Sequence, residues 1–236
     1  MGHTLTVAVT RDGKTGLAEK GIARRKNAPV GLDEGEILRR GLDTFAELGY
    51  EATTMRELAG RLGVSHNFIN DRYGSKSAFW RAVVDSALAG VQAERDALLA
   101  QQGDDAERLQ LLVSQTYRMA AHASQLNRLI ADESTRDSER LDYLHRLFIK
   151  PFWDSIEPTI SALAAAGRVP NVPPHVLYFA LIGPALALAQ NPIVDRIDPA
   201  AAPVAEQDRD RIGEELANVI LRGLLREPPP GDARNS

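Results

Sequence analysis

Thr54-Met-Arg-Glu-Leu-Ala-Gly-Arg-Leu-Gly-Val-Ser-His-Asn-Phe-Ile-Asn-Asp-Arg-Tyr73 is the stretch that decides the fold. Its spacing predicts two short helices joined by a tight turn. Thr54 and Glu57 stand at capping-box spacing: the hydroxyl accepts from a first-turn N–H, the carboxylate returns to the cap, and a helix starts there. Leu58 and Leu62 give that helix an apolar face, and Ala59 is small enough for a second helix to cross close by. Gly63 suits the left-handed residue that ends it. Val64 then plugs the corner, Ser65 is placed to cap the next helix, and Ile69 and Tyr73 point back inward. His66, Asn67, Phe68, Asn70 and Arg72 are left on the outer side, so the second helix could enter a DNA major groove.

Outward from this stretch the pattern stays helical. Asp33 to Leu48 carries Ile37, Leu38, Leu42, Phe45, Ala46 and Leu48 at helical spacing and closes on Gly49. The short linker 50–53 makes the three helices one compact unit. After Gly74-Ser75-Lys76-Ser77, with Ser75 or Ser77 as cap, a long helix is expected from Ala78 to Leu99. Gly103-Asp104-Asp105 breaks it, and beyond that no strand-like alternation occurs. A long pattern from Leu141 to Ala166 is interrupted at Lys150-Pro151, where proline must kink or restart the helix. Two last helices, 175–190 and 206–225, precede Pro228-Pro229-Pro230. The expected fold is all-α: a flexible basic arm (1–31), a three-helix helix-turn-helix DNA-binding domain (32–82), a larger helical ligand-binding and dimerisation domain (83–227) and a disordered tail (228–236).

The 236 residues carry a net charge of −4, which taken whole disfavours a nucleic-acid partner. The distribution reverses that. Residues 1–31 hold six bases and two acids, 32–81 hold seven and eight, and the remainder fifteen and twenty-two. Arg24-Arg25-Lys26, just ahead of the first helix, could reach phosphates or a minor groove. Cysteine is absent, which excludes disulfide frameworks and thiolate chemistry. No apolar stretch follows the first charges as in a signal peptide, and the longest apolar run, Val176 to Ala189, is short and broken by Gly183-Pro184. A cytoplasmic protein with no membrane partner is expected.

The pattern resembles the tetracycline-repressor (TetR) family of bacterial transcription regulators over roughly Glu34 to Trp80. The carriers are Phe45-Ala-Glu-Leu-Gly49-Tyr50, Thr53-Thr54-Met-Arg-Glu-Leu-Ala59, Gly63-Val-Ser65, and Ser75-Lys76 before Phe79. Beyond that the likeness is one of layout. The resemblance implies a homodimer formed through the last two helices, an effector pocket in the second domain, and release of a palindromic double-stranded operator when the effector binds. The family's recognition helix usually ends in an aromatic pair that contacts phosphates; Asn70 and Arg72 stand there instead, and both can still bond phosphate oxygens. Asp71 between them is expected to turn outward, since DNA repels a carboxylate.

Thr54, Arg56, Ser65 and Lys76 join Asn70 and Arg72 as DNA-contacting candidates; Thr54 and Arg56 at one helix start and Lys76 at another would hold phosphates. His66, Asn67 and Phe68 are the base-reading candidates: Asn67 can bond adenine bidentately and Phe68 can touch a thymine methyl. For a largely apolar effector the pocket candidates are Leu88, Tyr117, His122, Leu126, Phe148, Phe152, Trp153, Ile156 and Phe179, although such stripes are more often plain core. An enzyme would need a motif the chain lacks: there is no Gly-x-Ser-x-Gly, no phosphate-binding glycine loop and no paired histidine ligands, and the five histidines are scattered. No cofactor or metal is expected. A helical adaptor that binds only protein is the other alternative; it leaves the basic arm and the exposed helix without a purpose.

Overall fold

The computed structural model describes residues 33–99, 103–188, 193, 196–200 and 208–226. The basic arm, the tail from 228 and the first residues expected in the last helix lie outside that set. Among the described residues the fold is all-helical. Four helices form the N-terminal unit: α1 (Glu34–Leu48), α2 (Met55–Leu62), α3 (Phe68–Tyr73) and α4 (Lys76–Leu99). Asp33 caps α1 by accepting from the Glu36 N–H at 2.7 Å, and Ser75 accepts from the Ala78 N–H at 3.0 Å at the start of α4. Then follow α5 (Asp105–His122), α6 (Ser124–Glu133), α7 (Glu139–Leu144), α8 (Lys150–Ala165), α9 (Pro174–Ala187) and α10 (Arg209–Leu224).

Proline neither stops nor sharply restarts the chain between α7 and α8. One wide π turn, His145–Ile149, joins them. Pro151 has no N–H to give the carbonyl four residues back, that of Leu147. Gln92 of α4 supplies the missing donor: its Nε2 donates to the Leu147 carbonyl at 2.8 Å.

Two hydrophobic cores result, and the first draws residues from both sides of position 83. The first gathers Ile37, Phe45, Leu58, Leu62, Ile69, Phe79 and Trp80 with Leu126, Leu129 and Ile130 of α6 and Leu144 of α7. Leu58, Leu62 and Ile69 are fully buried, each worth about 1.5–3 kcal/mol against exposure. The second core joins α5, α8, α9 and α10 through Leu109, Tyr117, Ile156, Leu181, Ala217 and Leu221. The N-terminal unit thus meets α6 through α1, and α7 through Tyr50 and Trp80, rather than hanging from α4 alone.

Candidate nucleic-acid interface

The turn that presents the outer surface is built as its sequence demands. The Thr54 hydroxyl accepts from the Glu57 N–H at 3.1 Å. The other half of the capping box is replaced, because the Glu57 carboxylate accepts from Arg61 Nε at 3.0 Å one turn on. Gly63 takes the left-handed conformation at φ 69° and the Val64 N–H returns to the Ala59 carbonyl at 3.0 Å, which ends α2.

Beyond Gly63 the expectation needs one correction. Ser65 does not cap α3 with its side chain; its carbonyl accepts from the Phe68 N–H at 3.0 Å, and Asn67 occupies the cap position without a side-chain bond. The recognition helix is therefore only Phe68–Tyr73, and His66 and Asn67 sit in the turn that leads into it.

Thr54, Arg56, Ser65, His66, Asn67, Asn70, Asp71 and Arg72 are all exposed on this unit, behind which Ile69 is fully buried. Phe68 departs from the set: it is half-buried against the first core with the Arg72 guanidinium 5.9 Å from its ring centre. Arg72 is turned back to α1, where it pairs with Glu34, and Tyr73 donates to the same carboxylate at 2.6 Å. Burial, with Glu34 adding to it, pushes the Tyr73 phenol up to about 12. The end of α3 is thereby tied to the beginning of α1.

Lys76 departs further. Its ammonium donates to the carbonyls of Tyr50 and Thr53, both at 2.9 Å, and lies 4.1 Å from the centre of the Tyr50 ring. Burial lowers its pKa. The side chain expected on a phosphate instead fixes the turn that leads into α2, helped by buried Thr53, whose hydroxyl donates to the Gly49 carbonyl at 2.6 Å. Tyr50 takes a second cation, Arg140 of α7, whose guanidinium carbon is 3.9 Å from the ring centre. Arg140 in turn holds Glu51 at 2.8 Å and Glu133 of α6 at 2.9 Å, the latter only 2% exposed. No local pattern marked this chain of contacts, because residues 50, 76 and 140 meet only in the folded molecule.

The effector candidates do not form one site. Tyr117, Phe152, Trp153 and Ile156 belong to the second core, whereas Leu88, Leu126 and Phe148 pack in the first. His122 is no buried anchor: it is exposed and its Nε2 lies 3.0 Å from Asp210 of α10. Phe179 is 64% exposed, against the rings of His175 and Tyr178 on the outside of α9. Both fall on the solvent side because α5 and α9 turn their leucine stripes, not these residues, toward the core. Between α5, α8 and α9 a cavity of about 10 Å³ remains, walled by Leu109, Leu112, Val113, Thr116, Tyr117, Phe152, Ile156, Leu181 and Ile182. Tyr117 spends its hydroxyl on the Leu181 carbonyl at 2.9 Å, and burial pushes that phenol up to about 12.

Residues 37–83 match the family described as bacterial regulatory proteins, tetR family. The HTH-type transcriptional regulator YezE of Bacillus subtilis is 34% identical over 62 residues, 26% of this chain and 32% of that protein. The HTH-type transcriptional activator FasR of Mycolicibacterium smegmatis is 32% identical over 114 residues, 47% of this chain and 50% of it. The chain thus spans about a third to a half of the length of the curated relatives it matches. Over most of its length the fold is that of AibR, solved with isovaleryl coenzyme A and operator DNA (TM-score 0.62, 16% identity, 81% of this chain and 98% of that one). It is likewise that of FadR from Bacillus subtilis, solved with stearoyl-CoA (TM-score 0.57, 12% identity, 80% and 98%). Residues 37–83, which carry the helix-turn-helix, are thus similar to the tetR family of bacterial regulatory proteins.

Proposed function

We propose that the protein is a homodimeric transcription regulator, acting in the cytoplasm, that represses from a palindromic operator and releases it when a small, largely apolar effector enters the second domain. The observation that carries this reading is the exposed polar surface of His66, Asn67 and Asn70 set over a fully buried Leu58–Leu62–Ile69 floor. A rigid unit that leaves amides and an imidazole in solvent on one side is suited to reading base edges. Arg56, with no partner among the described residues, supplies the phosphate contact that Lys76 does not.

The dimer follows from α9. Pro174–Ala187 contains no charged residue, and a helix apolar all round is one that expects to be covered. Val176 and Phe179 are exposed on it, and on α10 Val219 is exposed with half-buried Ile212 and Leu216 on the same flank. A two-fold pairing through these two helices would set two α3 helices facing one side, so half-sites about 34 Å apart, or a multiple of that, are expected.

The cavity beside Tyr117 is far below the roughly 300 Å³ of a ligand site. An effector therefore has to part α5 from α8 and α9, and only that difference between the two states can shift DNA affinity. The coenzyme A esters named with AibR and FadR support an acyl chain as the apolar part. A second reading, an activator, is favoured by the name of FasR; another relative, Rv3405c of Mycobacterium tuberculosis, is named a repressor.

Footprinting on the DNA flanking its own gene, with and without acyl-CoA esters of varied length, tests the proposal. A protected palindrome lost on addition of ester is the expected result. Absence of any protected site would refute DNA regulation, and a reporter gene that falls silent on deletion of the protein would assign activation.

A further inference from the structure

The second domain carries a basic cleft that none of the roles above uses. The C-terminal end of α10 is bonded to the turn after α8: the Arg226 N–H donates to the Arg168 carbonyl at 2.8 Å, and Arg168 Nε donates to the Arg226 carbonyl at 3.3 Å. Gly167, at φ 70°, makes the sharp turn that brings Arg168 there. Beside this junction lies a cleft of about 500 Å³ against α5, with Arg168, Arg222 and Arg226 as its cations and Gln110, Ser114 and Asn218 as its neutral polar groups. Among the described residues its lining holds no carboxylate.

Nine described arginines, from Arg39 in α1 to Arg211 in α10, hold a carboxylate within salt-bridge distance. Among the described residues these three have no such partner, although the chain from residue 82 on has twenty-two acids for fifteen bases. The carbonyl end of α10 favours Arg222 and Arg226 by its dipole. It does not account for Arg168, which arrives from a different segment. Three guanidinium groups drawn into one concavity repel one another, and an anion seated among them removes that cost.

We propose that this cleft binds a small phosphorylated molecule through its phosphate or pyrophosphate group. Planar guanidinium forks match phosphate oxygens bidentately, the amides of Gln110 and Asn218 and the Ser114 hydroxyl bond the ester side, and Leu221 and Leu225 give it an apolar wall. The volume falls within the range of small-ligand clefts. The site is separate from the dimer face: at about 3.6 residues per turn, Asn218, Leu221, Arg222 and Leu225 lie on one flank of α10 while Ile212, Leu216 and Val219 lie on the other. It is separate also from the apolar cavity, which faces the inner side of α5.

Isothermal titration of the full chain with pyrophosphate, at constant ionic strength and with sulfate and chloride as controls, tests the assignment. One saturable site per chain is expected, weakened at least tenfold in Arg222→Gln/Arg226→Gln and in Arg168→Gln, with melting temperature and oligomeric state unchanged. Ser114→Asp, which keeps all three arginines and adds a negative charge, is expected to abolish the heat. The assignment is overturned if pyrophosphate gives no saturable heat, or if sulfate reproduces it in wild type and variants alike. It is overturned equally if the double variant loses affinity for DNA while pyrophosphate binding persists, which would make the cleft a nucleic-acid contact.

Discussion

An asparagine carries a donor and an acceptor on one planar group, and Asn67 holds that group in solvent at the entrance to α3. Against an adenine it can make two bonds at once, so Asn67→Ala should lose roughly 1–3 kcal/mol at one base pair and nothing at the others; anisotropy titrations on an operator with each pair exchanged in turn measure this. Lys76→Ala should act otherwise. It leaves the Tyr50 and Thr53 carbonyls without their donor, so about 1–3 kcal/mol of stability should go, visible as a lower melting temperature, and every DNA sequence should then weaken together. A variant with unchanged melting temperature and weakened DNA would return Lys76 to the phosphates. Glu36 contributes to the acid response of the same unit: hydrogen bonds from Arg39 and then Arg40 hold its pKa at about 2, below the ordinary 4.5. Because the folded value is the lower one, the stability this carboxylate adds is present above about pH 4.5 and fades as the pH falls toward 2. Wild type and Glu36→Gln should therefore differ at neutral pH and converge in acid denaturation curves. At this scale the sequence was legible where a residue acts on its neighbours, as Thr54 and Gly63 do, and opaque where its partner is distant, as with Arg72 and Glu34 or Lys76 and Tyr50.

Helices are placed by where they can touch, and two glycines mark the closest approaches. A Cβ on Gly41 of α1 would stand 2.7 Å from the Phe79 ring and the Val83 methyl, both side-chain atoms able to yield. On Gly213 of α10 it would stand 2.9 Å from the Tyr117 carbonyl oxygen, which is helix backbone and cannot. Gly213→Ala should accordingly cost at least the roughly 1–3 kcal/mol of an overpacked core and more than Gly41→Ala; urea denaturation of both variants decides the order. The ends of α1 and α2 and the apolar stripes of α1, α2 and α4 could be read from spacing alone, since both are set within a few residues, whereas the start of α3 at Phe68 rather than after Ser65 could not. The π turn could not: beside Pro151 the Leu147 carbonyl finds its donor in Gln92, far away in the sequence. Neither could the fate of the aromatic stripe: periodicity says that Phe148 and Phe152 face inward, not that two different cores receive them.

In the whole molecule α6 and α7 serve the first core while their neighbours α5 and α8 build the second, so a change in how α5 meets α8 has a route to the N-terminal unit through this pair as well as through α4. Its point of arrival is the contact series Glu133–Arg140–Tyr50–Lys76, ending on the turn that aims α2 and α3. Breaking a buried ion pair from one side strands the other charge, at about 3–5 kcal/mol, whereas removing both charges is often neutral. Arg140→Met should therefore destabilise strongly by leaving Glu133 alone in the interior, and Glu133→Gln/Arg140→Met should regain most of the loss. If the series transmits effector binding, the double variant keeps its fold and its grip on DNA but loses coupling: the ratio of DNA affinities without and with acyl-CoA falls toward one. Coupling that survives intact in a well-folded double variant would mean that α4 alone, from Lys76 to Leu99, carries the signal.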